Sequence, residues 1–365
     1  MAIEAETPAR LGYRMPAEWE RHAATWIGWP HNRTDWPGKF AAIPWVYCEI
    51  VRHLARVERV EILVNDAESE QRAQEMLERA HALTNAVRFH RFPTNRGWIR
   101  DFGPLFVVHD SAQDERASVA AIKWHFNGWA KYPDWELDET AGVKILKRLR
   151  LRKWRPAISR DGRRRRIVLE GGSIDVNGRG AILATEECLL SPIQQRNPGV
   201  SREQLEHCFA DYLGARKVLW LDRGIAGDDT HGHIDDTARF VAPGTVVCCA
   251  EPNASDPNHE AMEENLRRLR GMTDHDDRPL LVVELPMPAP VFFRGQRLPA
   301  SYANFYIANG LVLVPTFNDA QDRIALNLFA ELFPDREVVG IYCCDLVWGL
   351  GTLHCMTLQQ PAVAD

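Results

Sequence analysis

The chain has 365 residues, of which 45% are hydrophobic, so it can bury a sizeable core in one or two domains. Its 44 Lys and Arg residues against 50 Asp and Glu residues give a net charge of −6, which predicts no nucleic acid as a main partner. No apolar stretch approaches the ~18 residues of a membrane span, and the N-terminus lacks the apolar core of a signal peptide, so no membrane partner is expected.

Segments with helical periodicity are each followed by a short apolar run typical of a strand. The helical segments repeat apolar residues at helical spacing, as Leu205, Phe209 and Leu213 do. In chain order, the pairs are 41–56 with 60–64, 68–82 with 87–92, 202–213 with 217–221, 260–270 with 280–284, and 322–333 with 338–342.

Pairs of short strands joined by turns lie between these segments. They are 173–176 with 181–184, 238–241 with 245–250, and 304–307 with 311–315, and the Asn309-Gly310 turn of the last pair is a strong hairpin signal. The repeating unit is therefore strand, strand, helix, strand. It recurs about five times, which predicts an α/β fold whose units surround an axis as a closed propeller. We expect a flexible tail, 1–10, a single catalytic domain, 11–361, and a solvated loop at the Arg-rich stretch 155–166.

The cysteines and cofactor motifs bear on the cell compartment and on the chemistry. The eight cysteines form no CxxC pair and no disulfide-like framework, so a reducing, cytoplasmic location is expected. The sequence has no P-loop and no GxGxxG after a strand, so we expect no nucleotide or flavin cofactor.

The unusual polar segments fall at matching points of the repeat. If the units are related by rotation, these segments meet at one end of the axis, where a nucleophile, a base and several carboxylates would form a catalytic pocket. The segments are 98–104, 170–173, 228–235, 301–304 and 348–355.

These motifs resemble, in order and spacing, the agmatine deiminase branch of the guanidino-group-modifying enzymes, which includes bacterial (Porphyromonas-type) peptidylarginine deiminases. The resemblance covers nearly the whole chain. It implies a five-fold pseudosymmetric α/β propeller, or pentein, that hydrolyses agmatine to N-carbamoylputrescine and ammonia without a cofactor or metal, and a homodimer. The motifs are Met15-Pro16-Ala17-Glu18-Trp19, Trp26-Ile27-Gly28-Trp29-Pro30, the segments 98–104, 170–173, 232–235 and 304–315, and Gly349-x-Gly351-x-x-His354-Cys355.

The resemblance and the chemistry of a guanidinium assign the same roles. A planar guanidinium suits bidentate carboxylates, and Asp101 and Asp235 are the predicted clamp. Cys355 is the predicted nucleophile, which attacks the guanidinium carbon and forms a covalent thiouronium. His233 is the predicted general acid and base. Glu170 either orients His233 or touches the guanidinium.

Carboxylates beside a thiol should raise its pKa, so we expect the Cys355 thiolate to form mainly in the substrate complex. His354, next to the nucleophile, is interpreted as structural because neighbouring residues of a strand point to opposite faces.

The distal end of the substrate is predicted to contact Asp229 and Trp98, because an amine tail needs an anion and an aromatic wall. Asn304 is a further predicted substrate-binding residue. His231 stands where the family usually has Asn or Asp, and Asp175 stands where His is frequent. Both are expected to reshape the distal pocket.

Other functions stay open at this point. His231-x-His233-x-Asp235 could ligate a metal in a hydrolase. A related enzyme could instead act on peptidylarginine, arginine or methylarginine, or transfer an amidino group. A non-catalytic binding protein with the same fold is the third alternative.

Overall fold

The computed structural model describes residues 6–111, 115–160 and 162–362. Residues 1–5 of the expected tail lie outside the described residues, whereas the Glu6 carbonyl accepts a 2.9 Å hydrogen bond from the Trp154 indole and Ala9–Leu11 forms a 3-10 turn. Within the described ranges, no helix is both long and apolar enough to cross a bilayer. The helices are α1 (Ile43–Leu54), α2 (Ala67–Arg79), α3 (Ile99–Phe102), α4 (Glu115–Ser118), α5 (Glu136–Leu149), α6 (Glu186–Leu190), α7 (Arg202–Leu213), α8 (His259–Arg270) and α9 (Ala320–Leu332).

Most strands are short, and several that lie mid-sheet are buried along their whole length. Such strands read as continuous apolar runs because both of their faces are covered. The strands are β1 (His22–Gly28), β2 (Arg59–Val64), β3 (Val87–Arg91), β4 (Leu105–Val108), β5 (Val119–Ile122), β6 (Arg152–Trp154), β7 (Ala157–Arg160), β8 (Arg163–Arg166), β9 (Asp175–Val176), β10 (Ala181–Thr185), β11 (Lys217–Leu221), β12 (Ala238–Ala242), β13 (Thr245–Ala250), β14 (Leu281–Pro286), β15 (Phe292–Phe293), β16 (Gln296–Arg297), β17 (Tyr306–Ala308), β18 (Leu311–Thr316), β19 (Glu337–Tyr342) and β20 (Thr357–Pro361).

Five small sheets in the described chain share one topology, in which an antiparallel pair is followed by a helix and a parallel third strand. Four of them are β4-β5-β6, β9-β10-β11, β12-β13-β14 and β17-β18-β19. The fifth joins the two ends of the chain, because β20 pairs antiparallel with β1 while β2 and β3 continue in parallel. The predicted α/β unit is therefore confirmed, and it recurs along the chain.

Helix ends show why these segments stop where they do. Ser201 and Gln204 form a capping box at the start of α7, and Asp319 and Asp322 form one at the start of α9. Gly214 ends α7 in a left-handed conformation, with φ of 73°. The helices then bury their apolar faces against the sheets, as Leu205 and Phe209 of α7 do.

Two details differ from the sequence-based expectations. The helix–strand pair 68–82 and 87–92 does not begin a new sheet, because β3 extends the sheet of β1 and β2. The Arg-rich stretch 155–166 was predicted as a loop, and this is wrong: β7 and β8 form an antiparallel hairpin whose Arg163, Arg164 and Arg165 are exposed.

Candidate active site

Each of the five sheets begins just after a short turn that carries predicted chemistry. The turns are α3 before β4, the 3-10 turn Gly171–Ser173 before β9, Ile234–Asp236 before β12, Tyr302–Asn304 before β17, and residues 352–356 before β20.

These five turns contact one another in chain order, and the last contacts the first. The second turn lies against the third, because Gly172 of the second turn packs against the imidazole of His233, the residue directly before the third turn. The hydrogen bonds that join the other neighbours are Gly172 N–H to Asp101 Oδ1 at 3.0 Å, Ser301 Oγ to the Asp236 carbonyl at 2.7 Å, His354 N–H to the Asn304 carbonyl at 3.1 Å, and Arg100 N–H to the Cys355 carbonyl at 3.3 Å.

Gly172 lies where three predicted catalytic side chains meet. A Cβ built on it would be 2.7 Å from His233 Nδ1, 3.0 Å from Asp101 Oδ1 and 3.0 Å from Asp235 Oδ2. Since real Cβ atoms do not approach heavy atoms this closely, the absence of a side chain here allows the imidazole and both carboxylates to converge.

His233 is almost fully buried, and carboxylates surround it. Its Nδ1 is 3.9 Å from both Asp101 Oδ1 and Asp235 Oδ1, and its Nε2 is 3.7 Å from Glu170 Oε2. Burial alone would lower the pKa of His233, but Asp101, Cys188 and Glu170 raise it well above its usual value. Neither ring nitrogen has a geometrically good hydrogen-bond partner among the described residues.

Glu170 is held as an anion by Arg196, a residue that the sequence did not single out. Arg196 Nε lies 3.2 Å from Glu170 Oε1, and both side chains are fully buried. Burial raises the pKa of Glu170, yet Arg196 and His233 together bring it down to about 2. Glu170 Oε2, the oxygen facing His233, keeps no hydrogen bond in the described structure.

Asp101 and Asp235 approach His233 from two other turns. Asp101 Oδ2 accepts a 2.8 Å hydrogen bond from the Trp129 indole, and burial together with Asp235 and Glu170 raises the pKa of Asp101 to about 6, although His233 opposes the rise. Asp235 Oδ2 receives His354 Nδ1 at 2.7 Å, while its Oδ1 stays unpaired within the described chain. Asp235 therefore keeps one oxygen without a partner in the described chain, whereas both Asp101 oxygens already accept hydrogen bonds.

Cys355 completes the group. Its Sγ lies 3.6 Å from Asp235 Oδ2, and Asn304 Nδ2 donates to it at 3.1 Å. Burial raises the pKa of the Cys355 thiol, the carboxylates of Asp235, Asp236 and Asp101 raise it further, and the value ends well above the ordinary one despite Asn304.

Asn304 lies behind the nucleophile rather than on the cavity wall. Its Oδ1 accepts from the His354 N–H at 3.0 Å and from Thr352 Oγ1 at 2.8 Å. It therefore holds the turn that carries Cys355, and it is not among the residues that line the cavity, although it is predicted to bind substrate.

His354 lies in a turn, not on a strand, and it bridges two buried carboxylates. Its Nδ1 is 2.7 Å from Asp235 Oδ2 and its Nε2 is 2.8 Å from Glu18 Oε2. Burial would raise the pKa of Glu18, but Arg239 and His354 lower it well below the usual value. His354 thus orients a carboxylate that contacts Cys355.

A cavity of about 250 Å³ opens onto Cys355 and Asp101. Trp98, Trp129 and Leu350 form its apolar walls, as expected for Trp98. Asp229 also lies on the wall, but its carboxylate binds Lys131 Nζ, and its Oδ2 accepts from Tyr132 at 2.6 Å.

The two departures from the family pattern lie away from this cavity. His231 faces Ser191 and Glu187 in a separate surface depression. Asp175 is buried against Arg239, at 2.7 Å. The expectation that they reshape the distal pocket is wrong, because neither residue lies on its wall.

The metal hypothesis can be tested against the donor atoms. In the described residues, two groups bring three potential ligand atoms within 4.8 Å of one another: Glu170 with Cys188 and His233, and Asp235 with Asp236 and Cys355. His231 belongs to neither group, so the predicted His231-x-His233-x-Asp235 set does not converge.

Comparisons with known proteins are consistent along the whole chain. The sequence profile described as Porphyromonas-type peptidyl-arginine deiminase matches residues 14–361. Agmatine deiminase of Medicago truncatula is 37% identical, and the alignment covers 98% of each chain. The structure of Enterococcus faecalis agmatine deiminase matches with a TM-score of 0.87 at 32% identity over 99% of each chain. A Cys-to-Ser variant of C. jejuni agmatine deiminase with substrate bound matches with a TM-score of 0.82 at 26% identity, over 95% of this chain and 96% of that chain.

Proposed function

Because the chain belongs to the Porphyromonas-type peptidyl-arginine deiminase family, we propose that it hydrolyses the guanidinium of agmatine, giving N-carbamoylputrescine and ammonia. The observation that carries the proposal is the convergence of Cys355, His233, Asp101, Asp235 and Glu170 around one small buried space. The agmatine deiminases of Medicago truncatula and Enterococcus faecalis support agmatine over other guanidines.

Binding comes first in the proposed mechanism. The guanidinium lies between Asp101 and Asp235 and donates N–H groups to their oxygens, including the unpaired Asp235 Oδ1. Its positive charge offsets the carboxylates that keep Cys355 protonated, so the thiol proton leaves to solvent as the cation binds.

The thiolate then attacks the central carbon. The new C–S bond forms as the C=N electron pair moves to nitrogen, giving a neutral tetrahedral adduct. His233, cationic at neutral pH, gives its proton to one NH₂ group, which leaves as ammonia. A thiouronium cation on Cys355 and a neutral imidazole remain.

Hydrolysis reverses the role of His233. The neutral imidazole takes a proton from water, and the hydroxide adds to the thiouronium carbon. The C–S bond breaks towards sulfur as the carbonyl forms, and the hydroxyl proton passes to the departing sulfur, which regenerates the Cys355 thiol. The ureido product leaves, and Glu170 stabilises the imidazolium that has formed again.

The predicted five-fold propeller is part of the same proposal. Five sheets of one topology, each introduced by a site-bearing turn, and a ring of contacts among those turns support an arrangement around one axis. In that arrangement, the catalytic groups gather at one end of the axis.

Ammonia release from a panel of agmatine, arginine, methylarginine and an arginyl peptide tests the function. We expect the highest kcat/KM with agmatine, and loss of release in Cys355→Ser. Cys344→Ser is the matched control, because Cys344 is partly exposed and belongs to none of the clusters around His233. Equal ammonia release by wild type and Cys355→Ser would refute the assignment of the nucleophile.

A further inference from the structure

The cavity wall carries charges that the reaction does not use. Beyond Asp101, the wall includes the carboxylates of Asp35 and Asp229 and the guanidinium of Arg96. One of these groups must meet the far end of the substrate, since the cavity also contains the attacking sulfur.

Two of the three are already neutralised by other residues. Asp229 binds Lys131 through one oxygen and Tyr132 through the other. Arg96 Nη1 lies 2.9 Å from Asp134 Oδ1, Arg96 Nε lies 3.2 Å from Asp35 Oδ1, and its guanidinium stacks 4.4 Å from the centre of the Tyr132 ring. Arg96 therefore has little capacity left for a substrate carboxylate, and Asp229 has little left for an amine.

Asp35 differs from both. Its side chain is only 7% exposed, and while its Oδ1 faces Arg96, its Oδ2 has no hydrogen-bond partner anywhere in the described chain. Burial raises the pKa of Asp35 to about 7, more than Arg96 lowers it, and Asp134 adds to the rise. A second cation beside Oδ2 would relieve this uncompensated desolvation.

The Trp98 side chain lies close to both Asp35 and Cys355. The Cζ3 edge of its indole lies against Gly351, where a Cβ would be 3.0 Å from Cζ3 and 3.2 Å from Cys355 Sγ. The Trp98 side chain also lies beside Asp35, whose pKa it lowers slightly against the effect of burial. Cys355 and Asp35 therefore lie close to the same indole in one cavity, and the methylenes of a substrate chain can pack on this ring.

We propose that Asp35, and not Asp229, binds the distal ammonium of the substrate through its unpaired Oδ2, and so selects guanidines with a cationic tail over those with a neutral or anionic tail. The proposal rests on the guanidine hydrolysis proposed above. Asp229 instead fixes Lys131 and Tyr132 on the cavity wall.

The test compares binding of agmatine with binding of 1-butylguanidine, which has the same chain without the ammonium. Dissociation constants are measured by calorimetry in the Cys355→Ser background, so that no turnover intervenes. In this background, Asp35→Asn is expected to lower the preference for agmatine roughly 10- to 100-fold, the value of a charge-assisted hydrogen bond. Asp229→Asn, the matched control, is expected to change this preference much less.

The preference is a ratio within one protein, so a lower folded fraction does not imitate the effect. If Asp35→Asn weakens both ligands equally, or if Asp229→Asn shows the selective loss, the inference is overturned. Failure of the wild-type protein to release ammonia from any guanidine would count against the proposed function instead. The ratio of the two dissociation constants is measured without turnover, so it does not depend on ammonia release.

Discussion

Substitution of Gly172 by alanine tests the geometry of the site directly. The added methyl would lie 2.7 Å from His233 Nδ1, whereas ordinary contacts begin at 3.4 Å, so one of the two must move by at least 3.4 − 2.7 = 0.7 Å. Asp101 and Asp235, each 3.0 Å away, block the other directions. Since misplacement of a catalytic group by about 1 Å costs ~10²-fold in rate, we expect kcat/KM to fall roughly 10- to 100-fold.

The protein should stay folded, because one extra methyl in a packed interior costs ~1–3 kcal/mol, less than the ~5–15 kcal/mol by which folded domains are typically stable. The assay is steady-state ammonia release, together with thermal unfolding of the same samples. Gly244→Ala is the matched control, since no atom lies within 4 Å of a Cβ there and its φ is not left-handed. Wild-type kcat/KM in a folded Gly172→Ala protein would refute the convergence of these three side chains.

Three further predictions concern charge at the site. The rate of Cys355 alkylation by iodoacetamide should keep rising up to pH 9, because burial and nearby carboxylates raise the pKa of this thiol above its usual 9.0. Tandem mass spectrometry identifies the modified cysteine, and a rate that is already constant from pH 7 would contradict the prediction. Asp101→Asn should be inactive yet more stable at pH 8 by up to ~3 kcal/mol, because burial raises the pKa of Asp101 in the folded protein from 3.8 to about 6. The free-energy cost of ionising Asp101 in the folded protein is absent below pH 3.8 and complete above pH 6. Denaturant unfolding should therefore show that the extra stability of Asp101→Asn shrinks from pH 8 towards pH 5, and an extra stability that does not depend on pH would contradict the prediction. His354→Gln should lower the free energy of unfolding by ~1–3 kcal/mol, because it disrupts buried contacts with Glu18 Oε2 and Asp235 Oδ2, although Arg100 and Arg239 still face Glu18; an unchanged denaturation midpoint would show that the bridge is not structural.

The repeat could be predicted from the sequence because each unit has local signals. Helical periodicity, apolar runs and the Asn309-Gly310 turn all arise within a few residues of one another. The unit at 105–154 was not recognised, and α5 shows why. Gly142 interrupts its helical pattern, yet a Cβ there would lie 2.4 Å from the Phe102 carbonyl oxygen. The glycine weakens the local signal because a tertiary contact requires it.

The site residues likewise differ in whether a local sequence signal predicts them. Residues on the five turns follow recognisable motifs, so Cys355 and His233 could be named from the chain. Arg196, which charges Glu170, and Glu18, which holds His354, could not be assigned these roles. The Glu18–His354 contact spans 336 residues, and no spacing in the sequence indicates it.

The charges around Cys355 link substrate binding to reactivity. An empty site surrounds the sulfur with carboxylates and keeps it as an unreactive thiol, although His233 nearby is cationic. In the proposed mechanism, the same carboxylates attract a guanidinium, and its positive charge lowers the pKa of the thiol. A thiolate therefore arises mainly when its target carbon is already in place. Because oxidation and alkylation require the thiolate, the proposed mechanism implies that the same carboxylates would protect Cys355 between turnovers.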